Sequence, residues 1–278
     1  MRFTWLILLL CLCMSATCDA RTIKWLTNDF APYYIISGPN KSQGRDESII
    51  SLLEQQLSHI TFERVIIPSG KVIQELANQQ SNACALSLYK NKYREERVYF
   101  THQSSTAGLS PSIAMHTKLS SALEIEDAKP VSLTNLLVNK KLTLGVSMNR
   151  SYGSEIDKII NTTPGINLVI RPTRDTLSTL TYMLNLKRID ILLGYPSEHY
   201  YLAKTMGFTD NLTQRMLTEA PEISYGYIGC TKNEQGAEDI ATLNQQLKLI
   251  KQTEDYKQVL TRWLPSHLKP KLEAHLQY

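Results

Sequence analysis

From Thr22 the chain runs Thr22-Ile23-Lys24-Trp25-Leu26, the period-two alternation of a strand, and then turns through Asn28-Asp29-Phe30-Ala31-Pro32-Tyr33. Pro32 has no N–H to give to a ladder, so the strand is expected to stop short of it and to carry aromatic residues at its end. After the polar loop Ser37 to Arg45, the residues Ile49, Ile50, Leu53 and Leu57 recur at helical spacing. A second helix is predicted with Ser69 as its cap and with Val72, Ile73, Leu76 and Ala77 inside it. Thr61 to Ile67 and Ala83 to Leu88 read as strands. Strand, helix, strand, helix, strand is the order of an α/β lobe with a largely parallel sheet, because parallel neighbours need a crossover between them.

The pattern then restarts. Leu142 to Val146 reads as a strand, Ser151 to Ile160 as a helix and Leu168 to Ile170 as a strand. A helix with Leu177, Leu180 and Leu184 on one face follows, and then the strand Ile189 to Leu193. The helix-then-strand pair Val72 to Leu88 is thus echoed by Leu177 to Leu193. Two tail helices align Ile240, Leu243, Leu247 and Ile250, and Tyr256, Val259, Leu260 and Trp263, each with a polar opposite face that requires packing on a lobe already made. No period of 20 to 50 residues and no low-complexity tract is present.

At 278 residues, 42% hydrophobic and 20% charged, the chain is long enough for two compact lobes and unlike a disordered or collagenous one. Its 30 Lys and Arg against 26 Asp and Glu leave +4 without a basic run, so neither nucleic acid nor an anionic membrane surface is implied. The first twenty residues differ from the rest: Arg2, then the apolar stretch Trp5 to Met14, then small residues ending Cys18-Asp19-Ala20. This is the layout of a secretory signal peptide over residues 1 to 20, cleaved after Ala20. The apolar stretch is too short to span a bilayer. Ser15-Ala16-Thr17 before Cys18 lacks the Leu of a lipid-attachment signal. Cleavage leaves Cys84 and Cys230, which either form one disulfide in an oxidising compartment or stay as buried thiols.

Chemical motifs are mostly missing. There is no GxGxxG, and Ser69-Gly70-Lys71-Val72 lacks the upstream Gly and the following Ser or Thr of a phosphate loop. His59, His102, His116, His199, His267 and His275 show no metal-ligand spacing, and no GxSxG elbow presents a nucleophile. No metal and no cofactor is implied.

Several motifs in order carry a resemblance. A strand is followed by Phe30-Ala31-Pro32-Tyr33, then Gly44 and the helix of Ile49 to Leu57. Asn91-Lys92-Tyr93-Arg94, five residues and then Phe100-Thr101 keep the Arg and Phe of a Thr-Pro-Glu-Arg…Phe-Ser signature, although the Thr is lost. Ser132-Leu133-Thr134-Asn135-Leu136, Leu144-Gly145-Val146, Arg150-Ser151-Tyr152-Gly153, Lys187-Arg188-Ile189-Asp190 and the ending Tyr256 to Arg262-Trp263 follow. In this order they resemble the bacterial periplasmic solute-binding proteins for polar amino acids, family 3, over nearly the whole chain after residue 20.

The resemblance implies an α/β, two-lobe periplasmic-binding-protein-like fold of type II, with the ligand in a cleft between the lobes. Residues 21–107 plus 229–278 would form the first lobe and residues 108–228 the second. It implies a periplasmic monomer that captures a small polar solute, carboxylate-bearing and amino-acid-like, for an ABC importer or a membrane sensor. The alternative is an enzyme on the same fold, similar to the cyclohexadienyl dehydratases, for which Glu198 is the carboxylate available for acid and base work.

Arg94 is the first candidate anchor, because its planar fork can hold a carboxylate bidentately; otherwise it is a solvated helix end. Ser151, opening a helix, and the N–H groups of Tyr152 and Gly153 would take the same anion from the other lobe, with Arg150 adding charge there or lying on the surface. Phe30 would stack on the ligand, with Tyr33 and Tyr195 as polar-tipped walls, unless these rings are core. Asp190 reads as structural. Family members that bind amino acids carry an acidic residue five positions beyond the Asp of that strand start, to pair the α-ammonium, where this chain has Tyr195. Either Glu198 supplies the missing charge or the ligand carries no ammonium.

Overall fold

The computed structural model describes residues 21–276 apart from 128, 149 and 172–175. The expected leader, residues 1 to 20, lies outside the described residues. The first stretch lays down β1 (Thr22–Thr27), α1 (Arg45–Gln56), β2 (Thr61–Ile66), α2 (Val72–Ala77), β3 (Ala83–Leu88), a single-turn helix α3 (Lys92–Glu95) and the long strand β4 (Val98–Leu109). The second gives β5 (Ser112–His116), α4 (Thr117–Ala122), β6 (Thr143–Ser147), α5 (Ser154–Thr162), β7 (Asn167–Arg171), α6 (Thr176–Asn185), β8 (Ile191–Gly194), α7 (Pro196–Thr205) and β9 (Leu212–Met216). The chain then returns through β10 (Ile223–Thr231) and ends in α8 (Glu234–Ile250), α9 (Glu254–Thr261) and α10 (Lys269–Glu273).

These strands form two five-stranded sheets of the same design. One is ordered β2-β1-β3-β10-β4 and the other β7-β6-β8-β5-β9. In the first, β1 is parallel to β2 and β3, while β10 runs antiparallel between β3 and β4. In the second, β6 is parallel to β7 and β8, and β5 is antiparallel to β8 and β9. The echoed helix-strand pairs are equivalent: α2 leads into β3, and α6 into β8, each the central strand of its sheet.

Helices cover both faces of each sheet, which is why the parallel strands read as apolar runs. In the first lobe Trp25, Ile49, Ile50, Leu53 and Tyr256 are fully buried, tying β1, α1 and α9 into one core. Each such Leu or Ile contributes on the order of 2 kcal/mol by leaving water. The Cys84 and Cys230 sulfurs are bonded, joining β3 to β10 at directly opposed positions.

The chain crosses between sheets at Ser110-Pro111 and again over residues 217–222, so the second lobe spans residues 112–216. A return after residue 228 would fall inside β10. Its Ile223 and Gly226 already pair with Leu109 and Thr106 of β4. The stretch 217–222 before β10 carries no hydrophobic pattern that marks the crossing. The crossings are tied together: Ser110 N–H donates to the Glu222 carbonyl at 3.2 Å, and the Ser110 and Ser224 hydroxyls are 2.7 Å apart.

Local predictions shift at two helix starts. Ser69 opens a short 3₁₀ turn ahead of α2 and caps nothing; its hydroxyl accepts from the Asn28 amide. The helix expected from Ser151 begins at Ser154, because Gly153 at φ 103° turns the chain in a conformation helical residues do not adopt. Asp190 accepts from Thr143 N–H at 2.8 Å and is structural. Among the described residues no helix is long and apolar enough to cross a membrane.

Candidate functional site

The C-terminal ends of the parallel strands of both sheets face each other across a cavity of about 360 Å³. This is where α/β sheets place ligands, since loops rather than side-chain layers fill the space beyond strand ends. The turn after β1 carries Phe30 and Tyr33 to it. Glu47 fixes that turn by accepting from Gly44 N–H at 3.0 Å and from Ile35 N–H at 2.9 Å. Gly44 is required there, because a Cβ would stand 2.3 Å from the Tyr33 carbonyl oxygen.

On the first-lobe wall, Arg94 is half-buried and donates through Nη1 to the Tyr89 carbonyl at 2.9 Å. Asn91 holds it in place by capping α3, its side chain accepting from Arg94 N–H at 2.9 Å. No carboxylate pairs with Arg94 among the described residues, and burial lowers its pKa with nothing to offset the loss of water.

Arg45 lies on the same wall and is paired. Its Nε donates to Asp46 at 2.7 Å and its Nη2 to the Ser87 hydroxyl at 3.0 Å, and its guanidinium stands 4.4 Å over the Tyr33 ring. Burial alone would lower its pKa, but Asp46 and Tyr33 outweigh it and raise it. Ser87 has φ 61°, a strained backbone for an L-residue, and Gly226 makes room for it: a Cβ there would meet Ser87 Cα at 2.7 Å.

On the second-lobe wall, Arg150 is not a surface residue. It makes a two-pronged pair with Glu198, one prong at 3.1 Å, and its guanidinium lies about 5 Å from the rings of Phe30, Tyr152 and Tyr195. Burial lowers its pKa, and the Glu198 charge more than reverses this. Glu198, 0% exposed, also accepts from Tyr195 N–H at 3.0 Å. Its charge is therefore spent inside its own lobe, and it does not line the cavity.

Ser151 lines the cavity, yet its hydroxyl donates to Asp157 at 2.5 Å. Asp157 also takes Tyr152 N–H at 2.8 Å, and Gly153 N–H points to Ser151 Oγ at 3.4 Å. The anion expected at this helix start is thus the chain's own aspartate. Tyr152 belongs to the second-lobe core, its hydroxyl accepting from Ser147 N–H at 3.3 Å. Phe30, Tyr33 and Tyr195 do line the cavity.

The walls touch across it. The Tyr89 hydroxyl donates to the Tyr195 hydroxyl at 3.0 Å, Tyr33 Oη lies 3.4 Å from Ser197 Oγ, and the rings of Tyr201 and Trp263 meet edge-on at 4.9 Å. Burial raises the pKa of both Tyr33 and Tyr195, so both hydroxyls stay neutral. Sequence reasoning missed Arg45, Ser87, Tyr89 and Ser197. Tyr89 was findable, since it follows the end of a predicted strand as Phe30 does. Among the described residues no group of three or more His, Cys, Asp or Glu could hold a metal.

The sequence profile of the bacterial extracellular solute-binding proteins, family 3, matches residues 23–266. The chain belongs to that family. Solved structures share the two-lobe fold of this solute-binding protein. A histidine kinase sensor domain with similarity to periplasmic binding proteins is 17% identical, covering 88% of this chain and 96% of that one at a TM-score of 0.63. A Salmonella typhimurium periplasmic binding protein with high arginine specificity is 16% identical over 88% and 100% of the two chains, with a TM-score of 0.60. A putative L-cystine ABC transporter protein from Listeria monocytogenes is 14% identical over 89% and 97%, with a TM-score of 0.62. No curated protein matches the sequence.

Proposed function

We propose that this family 3 solute-binding protein works in the periplasm as a monomer. It captures a small carboxylate-bearing solute between its lobes and presents the closed form to the permease of an ABC importer or to a membrane sensor. The observation that carries this reading is Arg94, a half-buried cation on the wall of an interlobe cavity with no carboxylate partner among the described residues. Such a charge is costly to bury alone and is relieved by an anion that closure seals in with it. Phe30 and Tyr33, with ring centroids 5.5 Å apart and planes tilted by 34°, offer an aromatic wall for the solute's body.

Both partner types have counterparts among the structural relatives, which include an ABC-transporter protein and a kinase sensor domain. The dehydratase-like alternative needs a free carboxylate for proton transfer, and the bonds that occupy Glu198 weigh against that role.

A ligand that binds only the folded state adds RT ln(1 + [L]/Kd) to its stability, about 2.7 kcal/mol at a hundredfold excess over Kd. Thermal unfolding of protein refolded free of carried-over ligand, against amino acids, organic acids, amines and sugars, is expected to show a raised midpoint with carboxylates. The shift is expected to vanish in Arg94→Ala. A shift with sugars or amines alone, or one untouched by Arg94→Ala, overturns the reading.

A further inference from the structure

Among the described residues three guanidiniums line the cavity, those of Arg45, Arg94 and Arg150, against one carboxylate, that of Asp46. Asp46 is 2% exposed and bonded to Arg45. Behind the wall, Glu198 is fully buried, with its oxygens on Arg150 and on Tyr195 N–H. Pairing these off removes two cations and both carboxylates, and leaves Arg94. The other polar side chains that line the space among the described residues are neutral, including the hydroxyls of Ser87, Tyr89, Tyr195 and Ser197 and the Asn28 amide.

We infer that the solute carries an anionic head and no ammonium group, so that the cavity takes a small organic acid in preference to the amino acid of the same skeleton. This rests on the Arg94-anchored capture proposed above and narrows its ligand class. With its carboxylate on Arg94, an α-amino acid would hold its ammonium within a few ångströms of that carboxylate. Among the described residues it would lie in a space whose other charges are guanidiniums and whose carboxylates are already engaged. Water, which solvates the ammonium in the open form, is excluded on closure, so the unpaired cation is penalised by desolvation and by like charge together. Releasing Glu198 to meet it would strand Arg150 in a closed box of Phe30, Tyr152 and Tyr195 rings, which exchanges one buried unpaired charge for another. Replacing the ammonium with a hydroxyl or hydrogen removes the conflict, and the Ser and Tyr hydroxyls then serve as its partners.

The test is isothermal titration of the refolded protein with matched pairs: L-phenylalanine and 3-phenyllactate, L-leucine and 2-hydroxy-4-methylpentanoate, L-alanine and lactate, L-glutamate and 2-hydroxyglutarate. At least one hydroxy acid is expected to bind tenfold or more tightly than its amino acid, with the binding lost in Arg94→Ala. An amino acid that binds as tightly as its hydroxy acid, or more so, and through Arg94, overturns the inference and leaves carboxylate capture standing. Binding by no member of either series, or binding indifferent to Arg94→Ala, overturns the capture reading and this inference with it.

Discussion

In the first lobe the central strand β3 is joined to its antiparallel neighbour β10 by the Cys84–Cys230 bond, and the cavity wall beyond it holds an arginine without a counter-ion among the described residues. In the second lobe the equivalent strands β8 and β5 meet through ladder hydrogen bonds, and the wall beyond them holds an arginine whose counter-ion is fully buried. Two sheets of one design thus divide the work. The disulfide-bonded lobe leaves one wall charge unpaired among the described residues, whereas the second lobe pairs its own wall arginine and offers rings and hydroxyls. A site built this way is electrostatically incomplete on one wall only, so the ligand's anion is expected to dock on the first lobe before the second closes over it.

The largest effect expected from breaking this contrast falls on the second lobe. Glu198→Ala strands Arg150 among three rings and uncaps α7, and should cost about 3–5 kcal/mol, read as a lowered unfolding midpoint in urea. An unchanged midpoint would mean that the Arg150–Glu198 pair is not what holds this wall. On the first lobe, Cys84→Ala with Cys230→Ala frees a loop of 146 residues and should cost about 2–5 kcal/mol. Calorimetry resolves whether that loss falls on one transition or two; equal losses in both lobes would break the contrast.

Acid sharpens it further. Burial is the main cause that pushes the second-lobe residue His199 down to about 4, with Glu198 and the Ser112 carbonyl opposing it. Between the unfolded value near 6.5 and about 4, the unfolded chain binds a proton that the folded lobe does not. This stability is complete above pH 6.5 and is lost as pH falls to about 4, by roughly 2–3 kcal/mol. His199→Gln should flatten the stability–pH curve in that window, and an identical slope in the variant would exclude His199 as its source. The smallest effect on folding belongs to Arg94→Ala, expected within about 0.5 kcal/mol of the parent, because no charge is orphaned and the Tyr89 carbonyl it releases belongs to an exposed residue that water can serve. A larger drop in the ligand-free protein would mean that Arg94 is a structural residue.

How much of this was legible follows from where hydrophobic burial is concentrated. The parallel strands β1, β3 and β8 bury apolar side chains on both faces, and their runs stand out in the sequence. The crossing strand β4 does not stand out, because it buries Thr101, Ser105 and Thr106. Each is satisfied by a partner that sequence pattern does not reveal, such as the Gly226 carbonyl for Ser105 at 3.3 Å. Asn244 of α8 completes the edge of β4, taking His102 N–H at 2.8 Å and Gln103 N–H at 3.1 Å. In the site, Arg94, Phe30, Tyr33 and Tyr195 could be nominated from position alone, since residues just past strand ends face the cleft. The Arg150–Glu198 pair, which joins residues 48 apart, depends on how separate turns are brought together. No local pattern encodes that.

The bond between Cys84 and Cys230 also sets a path for mechanical load. The span it closes contains the whole of β4 through β9, and the described chain enters and leaves through the first lobe. Tension between Arg21 and Leu276 would run along β1, across the sulfur bridge and out through α8, and would bypass the second lobe entirely. Pulled between these two residues, the oxidised chain would yield only the length outside that loop, with the second lobe hanging as an unloaded side branch; reduction would put that lobe in series with the rest.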